Sequence, residues 1–128
     1  MVVDTYKDKA QDGVYLLFLD QEKAYDRVSH RYLWKVLKKL GIPKKIVCCL
    51  ERLYREADTH IYINGEKSDP FPVRSGVGQG DPLGCPSYVA ALEPLACAIL
   101  ADTDLKGIEL GDSVLKLLMF ADDTVFLF

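Results

Sequence analysis

Apolar residues along the chain occur in two kinds of block, namely continuous runs and repeats at the helical period. The run VYLLFL at Val14–Leu19 is continuous and is closed by Asp20, which predicts a buried strand. Near the other end, LKLLMF and TVFLF are two further apolar runs separated only by the letters ADD. These runs predict a hairpin with two adjacent aspartates, Asp122 and Asp123, at its tip.

Three segments repeat apolar residues at the spacing of a helix face. The first can be capped by Ser29 and stops at Gly41, and the second starts at Pro43. The third is the clearest, and Pro94 should kink it. The predicted inward residues are Tyr32, Leu33, Val36, Leu37 and Leu40 in the first helix, Ile46, Val47, Leu50, Leu53 and Tyr54 in the second, and Tyr88, Ala91, Leu92, Leu95, Ala96, Ile99 and Leu100 in the third.

A reverse-turn signal lies between the second and third helices. Residues Thr59–Ile63 are strand-like, Asn64 and Gly65 favour a tight turn, and a short return leg is expected at Phe71–Arg74. The order is therefore strand, two helices, hairpin, helix and hairpin. This order predicts an α+β fold with a mostly antiparallel sheet.

Composition limits the class of protein. The chain has 128 residues, of which 49% are hydrophobic, and this suits one domain with a real core. A net charge of −3 argues against a free-standing nucleic-acid binder, although it does not exclude a nucleic-acid enzyme. The four cysteines form no C-x-x-C pair, no signal peptide is recognisable, and no run approaches a membrane span. We therefore expect an intracellular protein without a membrane partner.

Three carboxylates are the strongest candidates for chemistry. Asp20 ends one strand, while Asp122 and Asp123 lie at a hairpin tip. If that strand pairs beside the hairpin, all three acids meet at one edge of the sheet, where Mg²⁺ or Mn²⁺ would suit them. Two such ions can clamp the attacking and leaving oxygens of a phosphoryl transfer. The alternative is a strand-end aspartate and an unrelated solvated turn.

A glycine-rich loop, SGVGQGDPLG, precedes the third helix. Its four glycines allow the backbone to approach a ligand closely, and Gln79 offers both a donor and an acceptor. Asp81 and Pro82 are a plausible helix start. The alternative interpretation of the loop is a flexible connection.

Three motifs, in this order, resemble the reverse transcriptases of non-LTR, LINE-like retrotransposons. FLDQEKAYDRVSH resembles their first catalytic motif, RSGVGQGDPLGCP their Gln-Gly-x-Pro motif, and MFADDTVFLF their x-Ala-Asp-Asp hairpin. The resemblance covers about Tyr6 to Phe128. It implies that residues 1–128 are a partial reverse transcriptase domain, comprising the end of the fingers and a palm-like antiparallel sheet packed with helices. We expect a piece of a longer polypeptide that supplies the remaining fingers and the thumb.

The resemblance also implies roles for single residues. Asp20, Asp122 and Asp123 would be the catalytic acids, with Asp20 and Asp122 as the main ligands of two Mg²⁺ or Mn²⁺ ions and Asp123 more peripheral. The backbone carbonyl of Gln21 would reach a metal ion. Tyr25 would screen the sugar of the incoming nucleotide, although a core aromatic is the alternative.

Substrates and location follow from the same resemblance. Gln79 and Gly80 would line the pocket for the incoming nucleotide and template. The implied partners are an RNA template, a DNA primer and a deoxynucleoside triphosphate, and the implied site of action is the nucleus.

Two positions depart from the family pattern, and two other functions stay open. Gly78 stands where a basic residue is usual, and Gly84 where serine is usual. The alternatives are a catalytically dead retrotransposon remnant or domesticated nucleic-acid-binding module, and a two-metal nuclease. A nuclease would need a fourth inward carboxylate, for which Glu93 is the only acid within the long helix.

Overall fold

The fold is α+β, as predicted, and every strand pair described is antiparallel. A computed structural model describes residues 2–4 and 15–128. Its elements are β1 (Val2–Asp4), β2 (Leu16–Asp20), α1 (His30–Lys39), α2 (Lys44–Arg55), β3 (Asp58–Thr59), β4 (Tyr62–Ile63), β5 (Glu66–Lys67), β6 (Phe71–Pro72), α3 (Gly84–Ala101), β7 (Ile108–Leu110), β8 (Ser113–Leu115), β9 (Leu117–Phe120) and β10 (Asp123–Leu127).

The described chain divides into two compact units, which we describe separately. One is the central segment Tyr25–Ala91, and the other combines the described residues up to Ala24 with Leu92–Phe128. The second of these, the sheet unit, is built on a four-stranded sheet in the order β1-β2-β10-β9.

The sheet confirms the predicted strand and the predicted terminal hairpin. The predicted strand Val14–Leu19 corresponds to β2, with Val14 itself outside the described residues. A strand at the start of the chain was not predicted: Val2–Asp4 pair with β2 in the register Val2↔Asp20. The hairpin formed by β7 and β8 was not predicted. Next to this hairpin, Lys116 Nζ donates hydrogen bonds to the backbone carbonyls of Leu100 and Asp102.

Two nested hairpins occupy the middle of the central unit. The Asn64-Gly65 turn is confirmed, with φ of 51° and 87°, and connects β4 to β5. The predicted continuous strand Thr59–Ile63 is split, because residues 58–59 pair with Phe71–Pro72 and residues 62–63 with 66–67. The predicted return leg to Arg74 is thus shorter than expected.

Helices α1 and α2 pack on each other around Leu33 and Val47, both fully buried. Ser29 has the extended backbone of a cap, but its side chain makes no cap hydrogen bond, so its predicted capping role is wrong. The helical spacing also predicted more buried residues in α1 and α2 than the structure contains. The predicted inward residues that are instead exposed are Tyr32 and Leu40 in α1 and Ile46 and Leu53 in α2.

Helix α3 begins at Gly84, later than the predicted start at Asp81 and Pro82. Asp81 lies in the turn before the helix, where its Oδ1 accepts a hydrogen bond from the Leu83 N–H at 3.1 Å. The helix continues through Pro94 to Ala101. Tyr88, Ala91 and Ile99 are buried as expected, whereas Leu95 and Leu100 are exposed. With 18 residues and a mean hydropathy of 1.4, α3 has a length and composition that could cross a membrane, contrary to our sequence interpretation; one such helix is weak evidence for a span.

Candidate active site

The sheet pairs two of the three candidate acids directly. Asp20 is the last residue of β2 and Asp123 the first of β10, and the antiparallel register makes them Cα partners. Side chains of such partners project from the same face, with Cβ atoms about 5 Å apart. Both residues are exposed. Two like charges therefore face solvent side by side. A bound cation would offset the repulsion between them.

Asp122 lies at the tip of the hairpin between β9 and β10. Only Ala121 and Asp122 connect Phe120 to Asp123, which are themselves cross-strand partners. Ala121 has φ of 52°, a left-handed conformation that costs a non-glycine residue about 1–2 kcal/mol. Asp122 is half-buried, unlike its exposed neighbour Asp123. The turn thus brings the third acid to the same end of the sheet.

The donor set fits a divalent cation in part. No group of three His, Cys, Asp or Glu side chains in the described ranges is arranged to hold a metal ion. Magnesium commonly takes only one or two protein carboxylates and completes its shell with water and substrate phosphates. The Asp20–Asp123 pair supplies such a partial shell, and half-buried Gln21 follows Asp20 directly. The division into two main ligands and one peripheral acid stays a prediction.

The sheet face that carries the paired acids also carries exposed apolar side chains of β9. Phe120, which lies opposite Asp123, is 83% exposed, and Leu118, opposite Val125, is 50% exposed. Sequence reasoning treated this run only as a strand. The spacing of Leu118 and Phe120 could have predicted that they share a face of the sheet, because residues two apart in a strand point to the same side.

Tyr25 belongs to the central unit, where its ring stacks on Tyr88. The ring centroids are 4.5 Å apart and the planes differ by 20°. Tyr88 is almost fully buried and Tyr25 is half-buried. The Tyr25 carbonyl also accepts a hydrogen bond from the Val77 N–H at 2.9 Å. The ring is therefore supported from one side and joined through its backbone to the glycine-rich loop.

The glycine-rich loop approaches the Tyr25 segment at Gly76. Gly76 has φ of 89°, and a Cβ there would lie 3.0 Å from the Cα and carbonyl oxygen of Asp26. The Gly76 N–H donates to the Val28 carbonyl at 2.8 Å. Further along the loop, Gln79 and Gly80 lie exposed in a turn. Their predicted contact with a nucleotide stays a prediction.

The two departures from the family pattern lie against each other. A Cβ on Gly84 would overlap the carbonyl oxygen of Gly78. A Cβ on Gly78 would lie 2.9 Å from the Asp81 Cβ. The close approach of the loop to the start of α3 therefore depends on glycine at both positions.

Glu93, the acid that a nuclease would require, interacts within its own helix. Glu93 is exposed, and Cys97 Sγ donates a hydrogen bond to its Oε1 at 3.5 Å. This hydrogen bond, helped by desolvation and by the Glu93 charge, raises the pKa of the Cys97 thiol. The contact does not favour a metal-binding role for Glu93.

Comparison with known proteins shows the family to which the chain belongs and agrees with the α+β fold. The chain belongs to the family described as "Reverse transcriptase (RNA-dependent DNA polymerase)", whose model matches residues 2–128. Its relatives include retrotransposon proteins of the R2 and jockey types, which confirms the resemblance to non-LTR elements.

Three relatives show how far the similarity extends. The "Transposon TX1 uncharacterized 149 kDa protein" of Xenopus laevis is 35% identical over 85% of the chain and 8% of its own length. An R2 Pol polyprotein of Popillia japonica is 30% identical over 99% of the chain and 18% of its own length. The "RNA-directed DNA polymerase from mobile element jockey" of Drosophila melanogaster is 29% identical over 86% of the chain and 11% of its own length. The chain thus spans less than a fifth of each.

Proposed function

We propose that this chain is the catalytic palm of an RNA-directed DNA polymerase and acts within a longer retrotransposon polypeptide. One observation carries the proposal: in a member of the reverse transcriptase family, Asp20 and Asp123 are cross-strand partners and Asp122 occupies the adjoining turn. The reaction joins the 3′-hydroxyl of a DNA primer to the α-phosphate of a deoxynucleoside triphosphate. Pyrophosphate leaves, and RNA serves as template.

The acids and the Gln21 carbonyl would hold two Mg²⁺ or Mn²⁺ ions. When bound, such ions promote deprotonation of the primer hydroxyl and neutralise the pyrophosphate. The protein residues contribute position, because a fixed reactant geometry removes much of the entropic barrier. The sheet register supports this role, since it fixes Asp20 relative to Asp123 through backbone hydrogen bonds.

The central unit would bind the incoming nucleotide. Tyr25 would exclude a 2′-hydroxyl, which its stack on Tyr88 supports by holding the ring in one orientation. Gln79 and Gly80 would contact the nucleotide and the template, and their exposure leaves them accessible for this. An intracellular, nuclear site of action is also proposed, on the retrotransposon relatives alone, and imaging of the tagged protein tests it.

The proposed function is tested by RNA-templated primer extension with the full-length protein whose open reading frame encodes this chain. We expect incorporation of deoxynucleotides that requires Mg²⁺ or Mn²⁺ and that is lost in Asp122→Asn. Preference for deoxynucleotides over ribonucleotides should fall in Tyr25→Ala. A folded protein that binds Mn²⁺ but never extends a primer would contradict the proposal and favour the remnant. Degradation of a labelled duplex without extension would favour the nuclease.

A further inference from the structure

A groove in the central unit combines positive charge with aromatic rings. It lies between α1, α2 and the segment that follows β6, and its volume is about 630 Å³, which suits a nucleotide-sized group. We call it the basic aromatic groove and define it by His30, Arg31, Trp34, Tyr54, Arg55 and Arg74.

The charge of the groove is opposite to that of the whole chain. The chain carries a net charge of −3, yet five cationic side chains and only one carboxylate line the groove. The carboxylate, Glu51, is paired with Lys38 at 2.9 Å. Within the described residues the other four cations make no ion pair, and all four are exposed. They are Arg31, Lys35, Arg55 and Arg74. These unpaired cations favour a polyanionic ligand.

Three rings form one wall of the groove. The Tyr54 ring packs edge-on against His30, with centroids 5.0 Å apart, and against Trp34, at 5.4 Å. His30 is held further by a hydrogen bond of 2.7 Å between its Nε2 and the Gly76 carbonyl. All three rings are half-buried, so each is anchored and partly open. Rings presented in this way stack on nucleobases without regard to sequence.

The same wall contains an unsatisfied polar atom. The Tyr54 hydroxyl is buried and has no hydrogen-bond partner among the described residues. Buried polar groups are normally paired, and an exception commonly marks a place that a ligand or water completes. This observation is independent of the surface charge, and it concerns the ring that contacts both other rings of the wall.

We infer that the basic aromatic groove binds a segment of single-stranded nucleic acid. Arg31, Arg55 and Arg74 hold consecutive phosphates, for which guanidinium groups are suited by charge and by paired donors. A base stacks on the Trp34 side of the ring wall. The inference goes beyond the proposed catalytic role of the acids and does not require it, because all groove residues belong to the central unit.

The chain has a built-in reporter for this site, because Trp34 is its only tryptophan. Titration of the purified chain with oligo(U) should quench the Trp34 fluorescence as a base stacks on the ring. A parallel titration with oligo(dT) separates RNA preference from DNA preference. A labelled oligonucleotide followed by anisotropy gives the affinity and its salt dependence.

Matched arginine variants localise the binding. We expect the double variant Arg31→Gln/Arg55→Gln to lose affinity at least tenfold. Its salt slope should fall by about 0.7 for each phosphate contact removed. Arg52→Gln is the control, because Arg52 is also an exposed arginine of α2 but does not line the groove. Circular dichroism confirms that each variant is folded.

Several results would overturn the inference. A loss of log affinity in the double variant no larger than twice that in Arg52→Gln would show diffuse charge binding. Unchanged Trp34 fluorescence at saturation would place the strand elsewhere. Equal affinity for oligoglutamate or for anionic vesicles would identify a general polyanion surface. Asp122→Asn should leave oligonucleotide binding intact, so failure here is distinguishable from failure of the proposed catalysis.

Discussion

Gly84 packs so closely on Gly78 that any side chain at residue 84 would overlap the Gly78 carbonyl. These are the two positions at which the chain departs from the reverse transcriptase pattern. Their contact shows that the departures are structurally linked, because the loop bends back onto the first turn of α3. A return to serine at residue 84 therefore meets the Gly78 backbone, whereas a basic residue at position 78 meets the Asp81 side chain.

Gly84→Ser should lower the free energy of unfolding by about 2 kcal/mol, as overpacking against a fixed neighbour commonly does. The hydroxymethyl group would have to displace backbone rather than the end of a flexible side chain. Urea denaturation of the purified chain measures the change. Cys85→Ser is the control, since Cys85 is the next residue of the same helix and is exposed. Identical denaturation midpoints for Gly84→Ser and the wild type would show that the close contact is absent in solution.

Asp123→Asn should stabilise the chain in metal-free buffer. Like charges directly opposite on antiparallel strands are unfavourable, so removing one should raise the free energy of unfolding by about 0.5 kcal/mol. Asp112→Asn is the control, because it removes an exposed carboxylate from another hairpin turn. A larger gain in the control than in Asp123→Asn would mean that general charge, not the strand register, governs the effect.

Mn²⁺ should stabilise the wild type more than variants that lack one of the acids. A ligand that binds only the folded state at 100 times its dissociation constant adds about 2.7 kcal/mol. We expect Mn²⁺ to raise the melting temperature of the wild type, with most of that rise lost in Asp20→Asn and Asp122→Asn. Differential scanning calorimetry with and without Mn²⁺ makes the measurement, and equal shifts in all proteins would exclude these acids as ligands.

Thr124→Val should raise the free energy of unfolding by about 1 kcal/mol. The Thr124 side chain is 4% exposed, its register partners are Leu19 and Met119, and its hydroxyl has no hydrogen-bond partner among the described residues. Valine has nearly the same shape and removes the cost of burying an unpaired polar atom. Thermal unfolding compares it with the exposed control Thr59→Val. A destabilised Thr124→Val would indicate that the hydroxyl has a partner in solution.

Cys97 should react slowly with iodoacetamide. The hydrogen bond to Glu93 raises the pKa of the Cys97 thiol, so at a given pH below that pKa less of the reactive thiolate is present. Glu93→Gln removes the negative charge and should accelerate alkylation at Cys97 severalfold. Mass spectrometry of timed samples reads each thiol separately, and the exposed Cys85 serves as internal control. Equal rates at Cys97 in both proteins would argue against the contact.

Local signals in the sequence predicted the elements that depend on local interactions. The run closed by Asp20 became β2, Asn64 and Gly65 formed their turn, and α3 begins within three residues of Asp81. Each of these outcomes is set by neighbouring residues. The meeting of the acids was predicted only on the condition that the first strand pairs beside the terminal hairpin, and the register Asp20↔Asp123 meets that condition.

Tertiary partners were not predictable from periodicity. Ile46 and Leu53 lie on the helical face with Val47, yet only Val47 is covered, because α1 occupies a small part of that face. The strand Val2–Asp4 was missed since a short run acquires its structure only by pairing with β2. The basic aromatic groove was missed because its residues come from segments far apart in sequence.

The order β1-β2-β10-β9 makes the pairing of Asp20 with Asp123 a contact between distant parts of the sequence. Asp20 and Asp123 are roughly 100 residues apart in the chain, and their strands form the centre of the sheet. Closing so long a loop costs conformational entropy before the strands gain any stabilising contact. Pairings between distant segments therefore tend to form late and to slow folding. The carboxylates therefore come together only when the sheet is complete. An incompletely folded chain would present separated acids, so the proposed binding of Mn²⁺ would report on folding of the whole sheet.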